Sequence, residues 1–264
     1  MSGSLDQHSL SAIAAMLRGA GCVFAEEEAQ LLMACGKSDA ELLLMTEKRI
    51  SGIPLQIILG RAEFYGLRVS IEPGVFIPRP RSEFLVEQAL SVCRPNSIVV
   101  DLCGGSGALG MAMISALPQI ELYACDIDSI AVRCATQNIT PLDGRVSEGD
   151  LFDPLPRELK GRVRVLVANA PYVPTHAIEM MPRESREHET RTSIDGGIDG
   201  LEIYRRIAEG ARHWLEPSGH ILVEAGEEQA DEMADTFERS GLTAKTLTSK
   251  EFDETIVTGR KSTH

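Results

Sequence analysis

From Ser97 onward the chain alternates short apolar runs with stretches of helical periodicity, and that alternation leaves few folds open to it. S-I-V-V-D (97–101), I-E-L-Y-A-C-D (120–126), R-V-S-E-G-D (145–150), V-R-V-L-V-A-N (163–169) and G-H-I-L-V-E-A (219–225) read as strands. Helical stretches such as S-I-A-V-R-C-A-T-Q-N (129–138) and L-E-I-Y-R-R-I-A-E-G-A-R-H-W-L (201–215) lie between most of them. Strands that alternate with helices return in parallel and need cover on both faces, so an α/β sheet follows. L-T-A-K-T-L-T (242–248) and E-T-I-V-T-G-R (254–260) have no helix between them. They are expected to pair antiparallel at one edge, completing a seven-strand Rossmann-like sheet.

Upstream the pattern differs. Residues 5 to 50 carry apolar positions at three-and-four spacing in L-S-A-I-A-A-M-L-R, A-E-E-E-A-Q-L-L-M-A and D-A-E-L-L-L-M-T-E-K-R-I, with breaks at Gly19, Gly21 and Gly36. They predict a small helical module over 1–53. The run 54–80 reads as short extended pieces, Q-I-I-L-G, E-F-Y-G-L-R-V-S-I and G-V-F-I-P-R-P, and predicts a linking β-hairpin or strand pair. Ser82 then opens a helix, and 81–264 forms the main domain.

Charge and cysteines narrow the partners. A formal net charge of −13 disfavours a surface that follows phosphates, so direct DNA or RNA binding is not expected. Six cysteines without a C-x-x-C pair, no apolar run near a membrane span, and no leader-like start predict a cytoplasmic chain of free thiols with no membrane partner. Six histidines without ligand spacing predict no metal.

Two turns carry candidate chemistry. D-L-C-G-G-S-G, from Asp101 through Cys103, Gly104, Gly105 and Ser106 to Gly107, is a glycine-rich turn between a strand and a helix, and Asp126 ends the next strand. That combination suits an adenosine ligand: glycines admit backbone to the ligand and the acid accepts the ribose hydroxyls. The glycines do not fall on the G-x-G-x-x-G comb of dinucleotide sites. Asp150 ends the third strand, and with Leu151 it stands where an adenine would lie; Asp150 as a cap of the next turn is the plainer alternative. The second turn is N-A-P-Y at the end of the fourth strand. Asn169 offers a side-chain carbonyl and Ala170 a backbone carbonyl, two acceptors for the N–H groups of one amide or amine. Pro171 has no N–H and stiffens the turn, and Tyr172 adds a flat π face. Asn, Pro and Tyr are also ordinary turn residues. R-E-S-R-E-H-E-T-R (183–191) reads as a solvated loop, with a place at the acceptor entrance as the alternative.

These motifs, with G-D-L-F from Gly149, resemble the seven-strand S-adenosylmethionine-dependent methyltransferases. P-L-Q-I-I-L-G-R-A-E-F-Y-G (54–66), V-F-I-P-R-P-R-S-E (75–83) and D-G-G-I-D-G-L-E-I-Y-R-R-I (195–207) resemble, within that class, the HemK-like protein-(glutamine-N(5)) methyltransferases that modify the Gly-Gly-Gln loop of peptide-chain release factors. The resemblance implies S-adenosylmethionine as cofactor and a release factor as protein substrate. It carries cofactor contacts to Asp101, Cys103, Gly104, Gly105, Ser106, Gly107, Asp126, Asp150, Leu151 and Asn169. Substrate contacts carry over to Asn169, Ala170, Pro171 and Tyr172. The chain departs from the family pattern at Cys103, where a glycine is usual, at Ala170 in place of a proline, and at Thr190 in place of a proline after Glu189. Methylation of a small molecule or another nitrogen acceptor is the alternative activity, and a non-catalytic binding module the alternative class.

Overall fold

The computed structural model describes residues 3–35 and 38–263; Gly36, expected to mark a break, lies outside them. The chain opens with helices α1 (Gly3–Gly19), α2 (Ala25–Met33) and α3 (Asp39–Ile50). Ser38 and Glu41 close a capping box at the start of α3, satisfying amides that the first turn leaves free. Leu17, Ala29 and Leu32 form a small apolar core between these helices.

Q-I-I-L-G is not extended as its β-branched residues suggested. Leu55–Leu59 form a short helix, α4, entered from Pro54 and closed by Gly60 in the left-handed conformation at φ 68°. Burial decides the matter: Leu55, with Ile58 and Leu59 beside it, packs into the core of the helical module, and one helical turn brings these residues to one face. The hairpin is as expected, β1 (Arg61–Phe64) against β2 (Leu67–Ser70). G-V-F-I-P-R-P joins no sheet; it runs unpaired with Val75 and Ile77 buried, and Gly74 makes an isolated bridge to Glu189.

The main domain then runs α5 (Glu83–Val92), β3 (Ile98–Leu102), α6 (Ala108–Ala116), β4 (Glu121–Asp126), α7 (Ser129–Ile139), β5 (Arg145–Glu148), β6 (Val163–Ala168), α8 (Arg183–His188), α9 (Glu202–Trp214), β7 (Leu215–Ala225), α10 (Ala230–Arg239), β8 (Leu242–Ser249) and β9 (Glu254–Lys261). The seven-strand sheet has the order β5-β4-β3-β6-β7-β9-β8, parallel except at β9, which pairs antiparallel with both β7 and β8. All five residues of β3 are buried, as a central strand covered on both faces requires. One face is closed by α5, α6 and α7, the other by α9 and α10, whose Tyr204, Ile207, Ala211, Met233 and Phe237 are buried at helical spacing. Among the described residues no helix is long and apolar enough to cross a membrane.

Register places the functional turns. The chain builds outward from β3 through β4 to β5, then returns to lay β6 on the other side of β3. At such a reversal the loops leaving neighbouring strands part to opposite faces and open a crevice at the carboxyl ends. Leu102 of β3 pairs with Cys125 of β4 and with Ala168 of β6. Cys103, Asp126 and Asn169 therefore leave the sheet side by side.

Candidate active site

A cavity of about 370 Å³ fills that crevice, within the roughly 300–1,000 Å³ common for small-molecule sites. Cys103, Gly104, Gly105 and Ser106 line one side with Asp126; Asn169, Ala170, Pro171 and Tyr172 line the other. Gly105 stands at φ 56°, and a Cβ added there would meet nothing within 4 Å, so its backbone faces open space. Gly105 N–H donates to one carboxylate oxygen of Asp126 at 2.8 Å and Asp128 N–H to the other at 2.9 Å. A carboxylate can accept about four hydrogen bonds, which leaves capacity for ribose hydroxyls. Glycine backbone open to a cavity beside an acid with spare acceptors fits an adenosine ligand.

Other expected contacts fall elsewhere. Gly107, at φ 77°, starts α6, and a Cβ there would meet Ile139 Cδ1 at 2.7 Å, so this glycine serves packing and lies off the cavity wall. Asp101 is buried beneath the turn, where one oxygen accepts Gly110 N–H at 3.0 Å and the other has no partner among the described residues. Burial lifts its carboxyl to about 7, with the Asp126 charge adding to the rise. Asp150 turns outward and pairs with Arg206 at 2.6 Å. Leu151 is buried in the core, its carbonyl accepting from Cys125 Sγ at 3.0 Å. Neither lines the cavity. Cys103, at φ 54°, holds a backbone conformation that glycine adopts freely, and burial keeps its thiol well above the ordinary range.

The N-A-P-Y side is supported from behind. Ala168 pairs with Val223, which puts Asn169 beside Glu224 on β7. Asn169 Nδ2 donates to Glu224 Oε2 at 2.9 Å, and Ser82 Oγ donates to the same oxygen at 2.5 Å. Arg81 bridges outward: its Nε lies 2.7 Å from Glu254 Oε2 and 3.6 Å from Glu224 Oε1, and its Nη2 donates to the Tyr172 hydroxyl at 2.9 Å. Burial raises both glutamates, and Glu254, beside the Glu224 charge, reaches about 7. Burial also pushes the Tyr172 phenol up to about 12. Tyr204, fully buried, brings its hydroxyl within 3.0 Å of the Ala170 carbonyl and 2.8 Å of the Glu224 carbonyl. The one hydroxyl hydrogen is shared between these two carbonyls, so the Ala170 oxygen keeps at least one lone pair.

Ser82, Arg81, Glu224, Glu254 and Tyr204 escaped the sequence reading. The signal for Glu224 was present: an acid in the otherwise apolar strand run I-L-V-E-A, which burial makes costly unless it is engaged. The stretch around Arg183–Arg191 is more than a solvated loop. Met181, Pro182, Ser185, Glu189 and Thr190 line the cavity, and Glu189, 6% exposed, pairs with Arg79 at 2.5 Å. Asn138 ties the hairpin to the glycine turn, its Nδ2 donating to Ser70 O at 3.0 Å and Ser106 O at 2.8 Å. Among the described residues no histidine lines the cavity.

A sheet of this order, with a glycine turn and an acid at neighbouring strand ends and an N-x-P-Y tip across the cavity, defines an S-adenosylmethionine-dependent methyltransferase. Known proteins agree. The family described as methyltransferase small domain matches residues 67–184. The release factor glutamine methyltransferase of Geobacter sulfurreducens is 37% identical over 200 residues, covering 75% of this chain and 69% of that protein. The enzyme of the same name from Moorella thermoacetica is 38% identical over 195 residues, covering 72% and 68%. A methyltransferase from Pyrococcus furiosus shares the fold at a TM-score of 0.57 and 16% identity, over 84% of this chain and 97% of that one. The chain belongs to the release factor glutamine methyltransferase family.

Proposed function

We propose that this chain methylates the side-chain amide nitrogen of a glutamine in the Gly-Gly-Gln loop of a peptide-chain release factor. One observation carries the reading of the site: Asn169, at the rim of the same cavity as the glycine turn, has its Nδ2 engaged, while its Oδ1 has no partner among the described residues. A free amide oxygen beside a cofactor-sized cavity suits an acceptor that brings N–H groups.

S-adenosylmethionine supplies a methyl group on a positively charged sulfur. Cys103–Ser106 and Asp126 would hold it. Asn169 Oδ1 and the remaining lone pair of the Ala170 carbonyl would take the two N–H groups of the glutamine amide. An amide nitrogen is a weak nucleophile because its lone pair is delocalised, so alignment is the main service the chain can render; it reaches about 7–11 kcal/mol in favourable intramolecular cases. Pro171 offers no competing N–H. Tyr172, its hydroxyl fixed by Arg81, would wall the reacting centre and contribute roughly 0.5–2 kcal/mol by cation–π contact. We assign the helical module 1–53 and the hairpin 54–80 to contact with the protein substrate, and 81–264 to the chemistry.

Incubation of the purified chain with S-adenosylmethionine and a release factor, followed by peptide mass spectrometry, tests the reading. One added methyl on the Gly-Gly-Gln glutamine is expected. An unmodified loop, with label on other material, would assign the enzyme a different acceptor.

A further inference from the structure

The two ends of an asparagine amide have nearly the same shape and opposite hydrogen-bonding character. If Asn169 is to receive an acceptor N–H, its oxygen must face the cavity, and nothing in N-A-P-Y itself decides between oxygen and NH2. The deciding group lies on the neighbouring strand. Ile221, Leu222 and Val223 are buried apolar residues, and Glu224 follows them with 0% exposure, where an apolar side chain would pack at less cost. Its Oε2 takes hydrogen bonds from Asn169 Nδ2 and Ser82 Oγ, and its Oε1 faces Arg81 Nε at 3.6 Å. Glu254 and Tyr172 complete the polar surroundings through Arg81.

We propose that Glu224 is a positioning residue for methyl transfer. A carboxylate only accepts, so it captures the NH2 end of Asn169 and turns Oδ1 toward the acceptor. Ser82 and Arg81 hold the carboxylate in register for that purpose. An apolar residue at position 224 would leave Asn169 free to present either end, and the wrong end would set a donor against the acceptor's own N–H. The inference rests on the role given to Asn169 above and names the group that makes the role possible.

A reciprocal exchange tests it. Asn169→Asp sets a carboxylate against Glu224 with no N–H between them, and transfer to the release factor should fall about 10²-fold, the usual scale for losing one aligned polar group. Adding Glu224→Gln supplies the missing N–H from the other side, and the double variant should recover about tenfold of the loss, about 1.4 kcal/mol. Glu224→Met should lower kcat while leaving the calorimetric affinity for S-adenosylmethionine unchanged. A double variant no faster than Asn169→Asp, or a Glu224→Met enzyme with full kcat, overturns the proposal. Absence of transfer by the wild-type enzyme would instead overturn the choice of acceptor. The Asn169 side-chain N–H signals, followed by NMR without any acceptor, then judge Glu224 separately: slow exchange that becomes fast in Glu224→Met supports the positioning role, and fast exchange in the wild type refutes it.

Discussion

The glycine-turn wall of the cavity is backbone held by near neighbours in sequence, whereas the N-A-P-Y wall is side chain held by residues far away along the chain. Asp126 fixes the turn through Gly105 N–H, and both sit at the ends of adjacent strands in one β-α-β unit. Asn169 is held by Glu224, and Tyr172 by Arg81, separated from them by 55 and 91 positions. The first wall can form once a single supersecondary unit folds. The second needs β7, β9 and the approach to α5 all in place, with two buried glutamates sharing one arginine. Binding of a common cofactor asks only for the local wall; alignment of a poor nucleophile asks for the long-range one.

Removing the tip should separate the two walls most sharply. Asn169→Ala should lower methyl transfer by about 10²–10³-fold while cofactor affinity, read by calorimetry, stays near that of the wild type. Arg81→Ala should cost about 2–3 kcal/mol in urea unfolding: it strands Glu224 and Glu254, but Arg81 is itself partly exposed, which keeps the loss below that of a fully buried pair. Asp126→Ala, on the local wall, should weaken cofactor binding about tenfold or more, since a hydrogen bond to a charged group contributes roughly 1.5–3 kcal/mol. Unchanged affinity would remove Asp126 from the cofactor wall.

Two smaller effects refine the description of the glycine turn. The folded carboxyl of Asp101 titrates near 7 instead of 3.8, so folding takes up a proton between those values. Its contribution to stability is fully present below the lower value and is lost as pH rises through about 7. Asp101→Asn should therefore flatten part of the fall in urea midpoint across that window. Cys103→Gly should relieve the left-handed backbone, worth roughly 1–2 kcal/mol at most, and raise Tm by a few degrees without abolishing cofactor binding.

The same contrast explains what the sequence disclosed. Strand runs and helices of the sheet were legible because burial on two faces demands unbroken apolar stretches, and the antiparallel edge followed from the missing helix before Glu254. The glycine turn, Asp126 and the N-A-P-Y tip were legible because their chemistry is local. Q-I-I-L-G was misread because β-branched residues favour strands, while its burial against the helical module, a tertiary fact, favoured one helical turn. Asp150 lies outside the cavity lining, where Arg206, 56 positions later, pairs with it, a partner that no local pattern announces. Arg81 and Ser82, although inside V-F-I-P-R-P-R-S-E, and Glu254 carry no local mark of this particular role, which each acquires only when the turn before α5 meets β7 and β9.

The most direct test of a cavity with these two walls is a crystal structure of the chain with S-adenosylhomocysteine and a peptide containing Gly-Gly-Gln. The account requires the ribose on Asp126 and the glutamine amide nitrogen within hydrogen-bonding distance of Asn169 Oδ1, with Nδ2 still on Glu224. A glutamine bound away from Asn169, or an asparagine presenting its NH2 to the peptide, would contradict it.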